Sequence, residues 1–251
     1  MKNMMIPGLL LMVCMWGVTA IAVQKPAATC DRECLRSKVT QLLYAFLKHD
    51  VSGLPVANTL RVTEDAVEKP LAKVGLVKTV TRLRGFRQDI IDERSGVAGA
   101  DVIVEETGAP VMLVVRLKVV ADKLTEVELV ATRSSAEGLI FNIDGLSAPS
   151  EVMNYTPRPE ELSTRDEAIK AALHYPAGLN AAKTFADVQT RVVAVDDRMG
   201  IVWLRMAWGV RERGGDQLTV WVAFKVYDGK IHAVEAFMRI LPLEKRNGGW
   251  Q

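Results

Sequence analysis

The chain has 251 residues, which suits one large domain or two small ones. Its 32 basic and 30 acidic side chains are interspersed, and no basic stripe with interleaved aromatic residues is present, which argues against nucleic acid as a partner. The sequence contains no glycine-rich phosphate loop, nucleophile elbow or Cys-x-x-Cys pair, so none of the common catalytic motifs marks it as an enzyme.

Residues 1–22 have the features of a secretory signal peptide. Lys2 supplies a positive charge, an uncharged and mostly apolar run follows, and Ala20 and Ala22 place small residues before a cleavage point. An uncleaved membrane anchor is the alternative, but Pro7 and Gly8 shorten the helical part of a run near the lower limit for spanning. We therefore expect cleavage after Ala22 and a secreted or periplasmic protein that has no membrane contact afterwards.

Removal of this leader also removes Cys14 and leaves Cys30 and Cys34 as an even pair. An oxidising compartment favours a disulfide between them at the entry to the first helix. A metal site is the weaker alternative, because none of the three histidines stands at ligand spacing from the cysteines. We expect neither a metal nor a cofactor.

The first half of the mature chain is predicted to be a helical part followed by strands. Apolar side chains at spacings of three and four predict an amphipathic helix over residues 32–49. A short strand at 60–63 and a short helix at 70–77 should follow. Longer strands are then predicted at 86–92, 99–106, 110–120 and 124–133. This places a first domain at residues 30–146.

A proline-containing segment without periodicity, residues 147–162, is the expected linker to a second domain at 163–251. Ser163 is the predicted cap of that domain's helix. Strands are expected at 188–195, 201–210, 218–227 and 230–241. Fewer residues separate the helix start from the strands than in the first domain, so the second domain should be a shortened version.

The two halves repeat one another. Residues 117–128 align with 224–235, and upstream, in the same order, residues 92–97 align with 196–201. Two anchors in one order indicate a duplicated domain. A helix followed by meandering strands predicts the α+β class, with each copy a curved, cone-like antiparallel sheet partly covered by helices.

The last hairpin of each copy predicts where two carboxylates lie. The Asp228-Gly229 pair favours a two-residue type I′ turn, and this turn sets which residues of the two strands are opposite each other. The sequence repeat then predicts the same pairing for the corresponding hairpin of the first copy. Side-chain alternation then places Glu128 opposite Val115, on the same apolar face as Leu117. By the same count, Glu235 lies on the equivalent apolar face of the second copy.

A carboxylate on an apolar face is disfavoured in its charged form, and such a group suits proton abstraction next to a carbonyl. Glu128 is therefore the candidate base, with Tyr44 or Thr63 assisting, and Glu235 is a weaker candidate. The alternatives are structural: either glutamate could end its sheet, pair with an arginine or lie at a subunit interface. Tyr44 could equally be a core tyrosine.

Further side chains are expected to line the same pocket. They combine polar groups at its rim with apolar groups of the sheet and of the short helix. These candidate ligand-binding residues are Glu64, Leu76, Val115, Leu117 and Arg133. The polar turn that begins at Thr63 could instead be a solvated one, and the three tryptophans of the second copy should fill its core.

The order of helix, turn, short strand, short helix and long hairpins resembles the nuclear-transport-factor-2-like cone, which ketosteroid isomerase and SnoaL-type polyketide cyclases share. The chain is most similar to secreted tandem members of that group, whose function is uncharacterised. The resemblance lies in residues 30–35, 49–50, 63–64, 92–96, 117–119, 228–231, 234–236 and 241–250. It implies the cone-like fold, but the catalytic aspartates of the steroid isomerases have no residue-by-residue match here.

The sequence favours a protein that binds a small apolar or aromatic metabolite in a pocket of the first domain. One alternative is a cofactor-free isomerase, cyclase or lyase that uses the pocket carboxylate. Another is a non-catalytic assembly module whose sheet faces form an interface, for example in a homodimer. A pocket around Glu128 would favour the first two readings, and a filled cone would favour the third.

Overall fold

The computed structural model describes residues 30–143, 145–181, 188–209, 216–242 and Trp250. The helices are α1 Arg32–Leu47, α2 Leu76–Thr79, α3 Ser135–Gly138, α4 Glu151–Asn154 and α5 Arg165–Ala181, with a 3-10 turn at Leu71–Lys73. The strands are β1 Val56–Glu64, β2 Val67–Glu68, β3 Val80–Asp92, β4 Val97–Glu106, β5 Ala109–Val120, β6 Lys123–Thr132, β7 Gln189–Asp196, β8 Ile201–Gly209, β9 Asp216–Tyr227 and β10 Lys230–Pro242. The expected leader lies outside the described residues.

No helix in the described part of the chain is both long enough and apolar enough to span a bilayer.

The start of α1 is fixed by its own sequence. The Asp31 carboxylate accepts a hydrogen bond from the Cys34 amide at 2.9 Å, which satisfies one of the free amides of the first turn. The predicted disulfide between Cys30 and Cys34 is confirmed and ties that turn to the residue before it. The helix ends before His49, which adopts a left-handed conformation with φ 55°.

The cap of α5 lies one residue later than predicted. Thr164, rather than Ser163, forms a capping box: its amide donates to Glu167 at 2.9 Å, and the Glu167 amide faces the Thr164 hydroxyl at 3.4 Å. The Ser163 hydroxyl instead accepts a hydrogen bond from the Gly229 amide at 3.2 Å. It therefore ties the helix start to the last hairpin turn.

The strands form one sheet of six strands and one of four, so the predicted α+β class is confirmed. The strand order is β2-β1-β6-β5-β4-β3 in the first sheet and β10-β9-β8-β7 in the second. We expected a purely antiparallel first sheet, but β1 runs parallel to β6. β6 pairs with β1 only after the chain has passed through β3, β4 and β5. The pairing is therefore between distant segments, and local sequence patterns do not predict it.

Three apolar clusters divide the molecule into layers. One lies between α1 and the first sheet, and another lies between α5 and the second sheet. The third lies between the two sheets and contains Trp203 and Trp221, whose ring centroids are 4.9 Å apart. The layers are therefore helix, sheet, sheet and helix, and the sheet faces that could have formed a homodimer cover each other within one chain.

Two reciprocal ion pairs connect the halves. Arg32, at the start of α1, donates to both carboxylate oxygens of Asp196 at 2.7 Å. Arg165, at the start of α5, donates to the two oxygens of Asp92 at 2.5 and 3.2 Å. The two aspartates are equivalent in the repeat, and each arginine is the first residue of its helix, so the contact has the reciprocity of a two-fold dimer interface.

A matching bulge in each final hairpin overturns the predicted register. The hairpins begin as expected, but Thr125 and His232 are each left without a partner on the opposite strand. Glu128 is consequently opposite Arg116 and not Val115. A slip of one residue moves every later side chain to the other face. The predicted place of Glu128 on the inner apolar face is therefore wrong.

The same correction holds for Glu235. Its partner is Ala223, which belongs to the apolar cluster between the sheets. Both glutamates thus extend from the sheet faces that meet each other, away from the two helices. The surroundings of both carboxylates are therefore those of the junction between the two sheets.

Candidate functional site

A groove of about 330 Å³ lies beside the C-terminal end of α1. One wall is a stripe of the helix, with side chains three or four positions apart, and the other is the turn that follows it. The lining residues are Gln41, Tyr44, Ala45, Lys48, Asp50, Gly53 and Leu54. Tyr44, a candidate from the sequence, lines this groove on the solvent side of α1 and is 51% exposed.

Hydrogen bonds hold the turn side of the groove. The Asp50 carboxylate accepts a hydrogen bond from the Ser52 amide at 2.8 Å, which lowers the pKa of Asp50. The Leu54 amide donates to the Val51 carbonyl at 3.2 Å. The His49 ring lies 2.8 Å from the Val77 carbonyl and anchors the turn to α2. This wall is consequently preformed, whereas the Lys48 ammonium extends from the helix.

The predicted apolar pocket residues occupy a different place. Leu76, Val115 and Leu117 have no solvent exposure and belong to the cluster packed under α1. The first sheet separates this cluster from Glu128. The structure therefore does not bring the apolar candidates, Tyr44 and the candidate base into one cavity.

Glu64 has a structural role next to that cluster. Its carboxylate accepts hydrogen bonds from the amides of Gly75 and Leu76 at 2.9 and 3.1 Å and from the Lys69 ammonium at 2.7 Å. Burial alone would raise the pKa of Glu64, but these donors outweigh it and lower the pKa. Arg133, the other polar candidate, pairs with Glu106 at 2.5 Å.

Glu128 lies in an ion-pair network between the sheets. It accepts a hydrogen bond from Arg191 of the second sheet at 2.8 Å and lies 4.0 Å from Arg116. Thr63 is its partner on β1, and the Thr63 hydroxyl accepts a hydrogen bond from the Trp250 indole at 2.8 Å. The predicted proximity of Glu128 and Thr63 is thus observed, but their neighbours are cations and an indole instead of apolar pocket walls.

Asp101, a further carboxyl group at the junction, was missed by the sequence reasoning. Asp101 on β4 is 1% exposed, and neither of its oxygens has a hydrogen-bond partner. Burial, followed by the like charge of Glu235, holds the pKa of Asp101 well above its ordinary value. Burial also raises the pKa of Glu235, against an opposing hydrogen bond from the Ser150 amide at 3.2 Å. An acid inside the apolar run 97–104 was the available signal.

Among the described residues, the group with metal-ligating side chains close together is Cys30, Cys34 and Asp122. Both cysteine sulfurs are used in the disulfide, so they are not available as thiolate ligands.

Comparisons with known proteins give few likenesses. A family model described as a domain of unknown function, DUF8021, matches residues 170–238. A crystal structure of a de novo designed protein with a curved β-sheet matches with a TM-score of 0.33 and 18% identity, over 41% of this chain and 88% of that one. The comparison with curated proteins gives no match.

Proposed function

We propose that this chain is a secreted small-molecule-binding protein whose ligand site is the groove beside Tyr44. The observation that carries the proposal is the groove itself, about 330 Å³ in volume, beside a tyrosine ring that is half exposed. Ligand sites typically measure about 300–1,000 Å³ and combine apolar walls with a few polar groups. The groove is at the small end of this range and is more polar than a typical site: Tyr44 and Leu54 supply apolar surface, and Gln41, Lys48 and Asp50 are polar.

The lining groups favour a small, flat and anionic ligand. The Tyr44 ring offers a face for stacking an aromatic body. The Lys48 ammonium offers a positive charge on the helix side, and the Asp50 carboxylate, which accepts a hydrogen bond from the Ser52 amide, keeps its negative charge on the turn side. The anionic group of a ligand would therefore bind on the helix side of the groove. An aromatic carboxylate matches this arrangement better than a neutral hydrocarbon. The proposal keeps an aromatic metabolite as the ligand but moves the site from the sheet side of α1 to its outer side.

The expectation of secretion is part of the proposal. The Cys30–Cys34 disulfide supports it, because such bonds persist in oxidising compartments and are rare in the cytosol. We further propose that the first sheet with α1 is a nuclear-transport-factor-2-like cone and that the second sheet with α5 is a shortened copy. The equivalent bulges in both copies support this relationship.

The assembly hypothesis required the sheet faces as an interface between copies of the chain. In this structure those faces are joined within one chain, and the reciprocal pairs Arg32–Asp196 and Arg165–Asp92 connect the two halves. We therefore do not propose assembly through the sheet faces.

The test is a thermal-shift screen of benzoate-, naphthalene- and indole-type carboxylates, each beside its matched carboxamide. We expect carboxylates to raise the melting midpoint more than their amides. The shift should disappear in Tyr44→Ala and weaken in Lys48→Met. It should remain in Tyr175→Ala, a control on α5 whose ring is 46% exposed, when each variant is compared with its own ligand-free midpoint. Equal shifts in Tyr44→Ala and the wild type, or no shift with any carboxylate, would contradict the proposal.

A further inference from the structure

Trp250 is a buried aromatic ring that is held by polar side chains. It is 6% exposed, yet among the described residues the three apolar clusters do not include it, whereas Trp203 lies inside one of them. The Trp250 indole N–H donates to the Thr63 hydroxyl at 2.8 Å. The guanidinium carbons of Arg61 and Arg116 lie 4.2 and 5.4 Å from the centre of the ring. A hydrogen-bond acceptor and two cations over an indole are the contacts of a site that recognises this ring.

The three side chains that contact the ring lie together on the junction face of the first sheet. Arg61 and Thr63 are two positions apart on β1, so they share a face, and Val62 between them belongs to the cluster under α1. Thr63 is opposite Glu128 on β6, and Glu128 is opposite Arg116 on β5. The contacts of the ring are therefore made on one face, across three paired strands.

Carboxylates hold both arginines in place. Arg61 donates to Glu68 at 2.9 Å, and Arg116 donates to Glu126 at 2.7 Å. A guanidinium makes such bonds in its own plane and keeps its faces for an aromatic ring. The two guanidinium groups are therefore positioned by the sheet and not by Trp250. Because each has a negative partner, the site offers ring faces and a hydroxyl, and it does not require a charged ligand.

We propose that Arg61, Thr63 and Arg116 form a binding site for a small, neutral, indole-type molecule, the indole site, which Trp250 of the same chain occupies. The observed contacts define the ligand. The two guanidinium groups require a flat aromatic ring, and the Thr63 hydroxyl requires one N–H donor. This ligand differs from the anionic one proposed for the groove beside Tyr44, and α1 and the first sheet separate the two sites. The indole site therefore does not depend on the groove.

Trp250 competes with any free ligand of the indole site. It follows β10 of the second sheet in the chain, and its ring lies against β1 of the first sheet. A free ligand binds only those molecules in which the ring has left, so its apparent dissociation constant is the intrinsic constant divided by the open fraction. A minor open state is typically populated to about 0.1–10%. Removal of the ring should therefore tighten binding about 10- to 1,000-fold.

The experiment compares indole binding by the full chain without its predicted leader and by its Trp250→Ala variant, using titration calorimetry and melting midpoints. We expect Trp250→Ala to bind one indole per chain and to regain stability with it, and the wild type to bind indole more weakly by the factor given above. Benzofuran, a ring of the same size without the N–H, should bind the variant more weakly than indole. Thr63→Val, combined with Trp250→Ala, should remove this preference. Trp250→Leu, which fills part of the site, should have an intermediate affinity for indole.

Three results would overturn the proposal. The first is the absence of saturable indole binding to Trp250→Ala, or to Trp250→Leu if the alanine variant does not fold. The second is the same affinity for indole in the wild type and in these variants, which would mean that the Trp250 ring does not cover the site. The third is loss of binding when Tyr44→Ala is added to Trp250→Ala, which would assign the indole to the groove. We expect that double variant to bind indole as Trp250→Ala does.

Discussion

Replacement of Asp196 by asparagine removes one charge from the junction between the halves and keeps the size of the side chain. Asp196 has no solvent exposure, and the side chain of its partner Arg32 is 8% exposed. Asparagine keeps a single acceptor oxygen and turns an amide nitrogen towards the guanidinium. The buried guanidinium then loses its paired carboxylate and keeps only the weaker influence of Glu93 and Glu33. Removal of one partner of a buried ion pair costs about 3–5 kcal/mol.

The repeat supplies a matched comparison at Asp92. Its partner Arg165 is 23% exposed and also contacts Asp197 at 3.2 Å, so the guanidinium keeps water and a second carboxylate. We therefore expect Asp92→Asn to cost less, about 1–3 kcal/mol, the range for the loss of a charged hydrogen bond. The structure thus predicts the size of each loss in the free energy of unfolding, and it predicts that Asp196→Asn costs more than Asp92→Asn.

Urea unfolding at pH 7, followed by tryptophan fluorescence and circular dichroism, measures both variants. Coincident transitions by the two probes are needed before free energies of unfolding are compared. In a double-mutant cycle, Arg32→Met combined with Asp196→Asn should cost less than the sum of the single changes. A loss below about 1 kcal/mol for Asp196→Asn, the range of exposed ion pairs, would refute the reasoning. So would a larger loss for Asp92→Asn.

Three further changes test other parts of the structure. Asp101→Asn should stabilise the protein at pH 7 and not at pH 3, because burial raises the folded-state pKa of Asp101. The wild type therefore loses stability as the pH rises above about 3.9, the ordinary pKa of an aspartate, and urea unfolding across this range measures the difference. Lys225→Met should lower the free energy of unfolding, measured in urea, by about 2–4 kcal/mol, because the enclosed ammonium donates to the carbonyls of Tyr155 and Met199. The equivalent change Lys118→Met frees only the Ser95 carbonyl and should cost less than half as much. Gly99→Ala should lower the melting midpoint, since its Cβ would lie 2.3 Å from the Trp203 ring and 2.7 Å from the Val115 carbonyl.

Each of these changes has a contradicting outcome. A destabilised Asp101→Asn variant at pH 7 would mean that the carboxylate is compensated in the folded state. Equal costs for the two lysine substitutions would remove the special role of the carbonyl contacts at Lys225. An unchanged midpoint in Gly99→Ala would show that the sheets do not approach each other closely at this position.

Local patterns were sufficient for much of the fold. The spacing of apolar residues predicted α1, the turn at Asp228 predicted the last hairpin, and the repeat anchors at Asp92 and Asp196 identified equivalent positions. The even pair Cys30 and Cys34, behind a predicted secretory leader, predicted a disulfide that the structure contains. In each case the feature depends on residues close together in the sequence, or it recurs in both copies of the repeat.

The candidate site depended on features that the sequence does not reveal. The bulges at Thr125 and His232 leave no mark in residue type, yet they turn Glu128 and Glu235 to the junction. Tyr44 was a candidate from the start, but only the fold shows that its ring faces a groove on the outer side of α1. Asp101 was visible as an acid in an apolar run, but the carboxyl group that influences it, Glu235, belongs to the other half of the chain.

Hydrogen exchange at two backbone amides tests the reciprocal packing of the halves most directly. The Ile91 amide donates to Asp196 at 3.1 Å, and the Val195 amide donates to Asp92 at 3.0 Å, so each amide is protected by the other half. We predict that both exchange only with global unfolding and share one opening free energy. Exchange of either amide at a clearly lower free energy than the sheet cores would contradict the account, because it would mean that the halves separate while each remains folded.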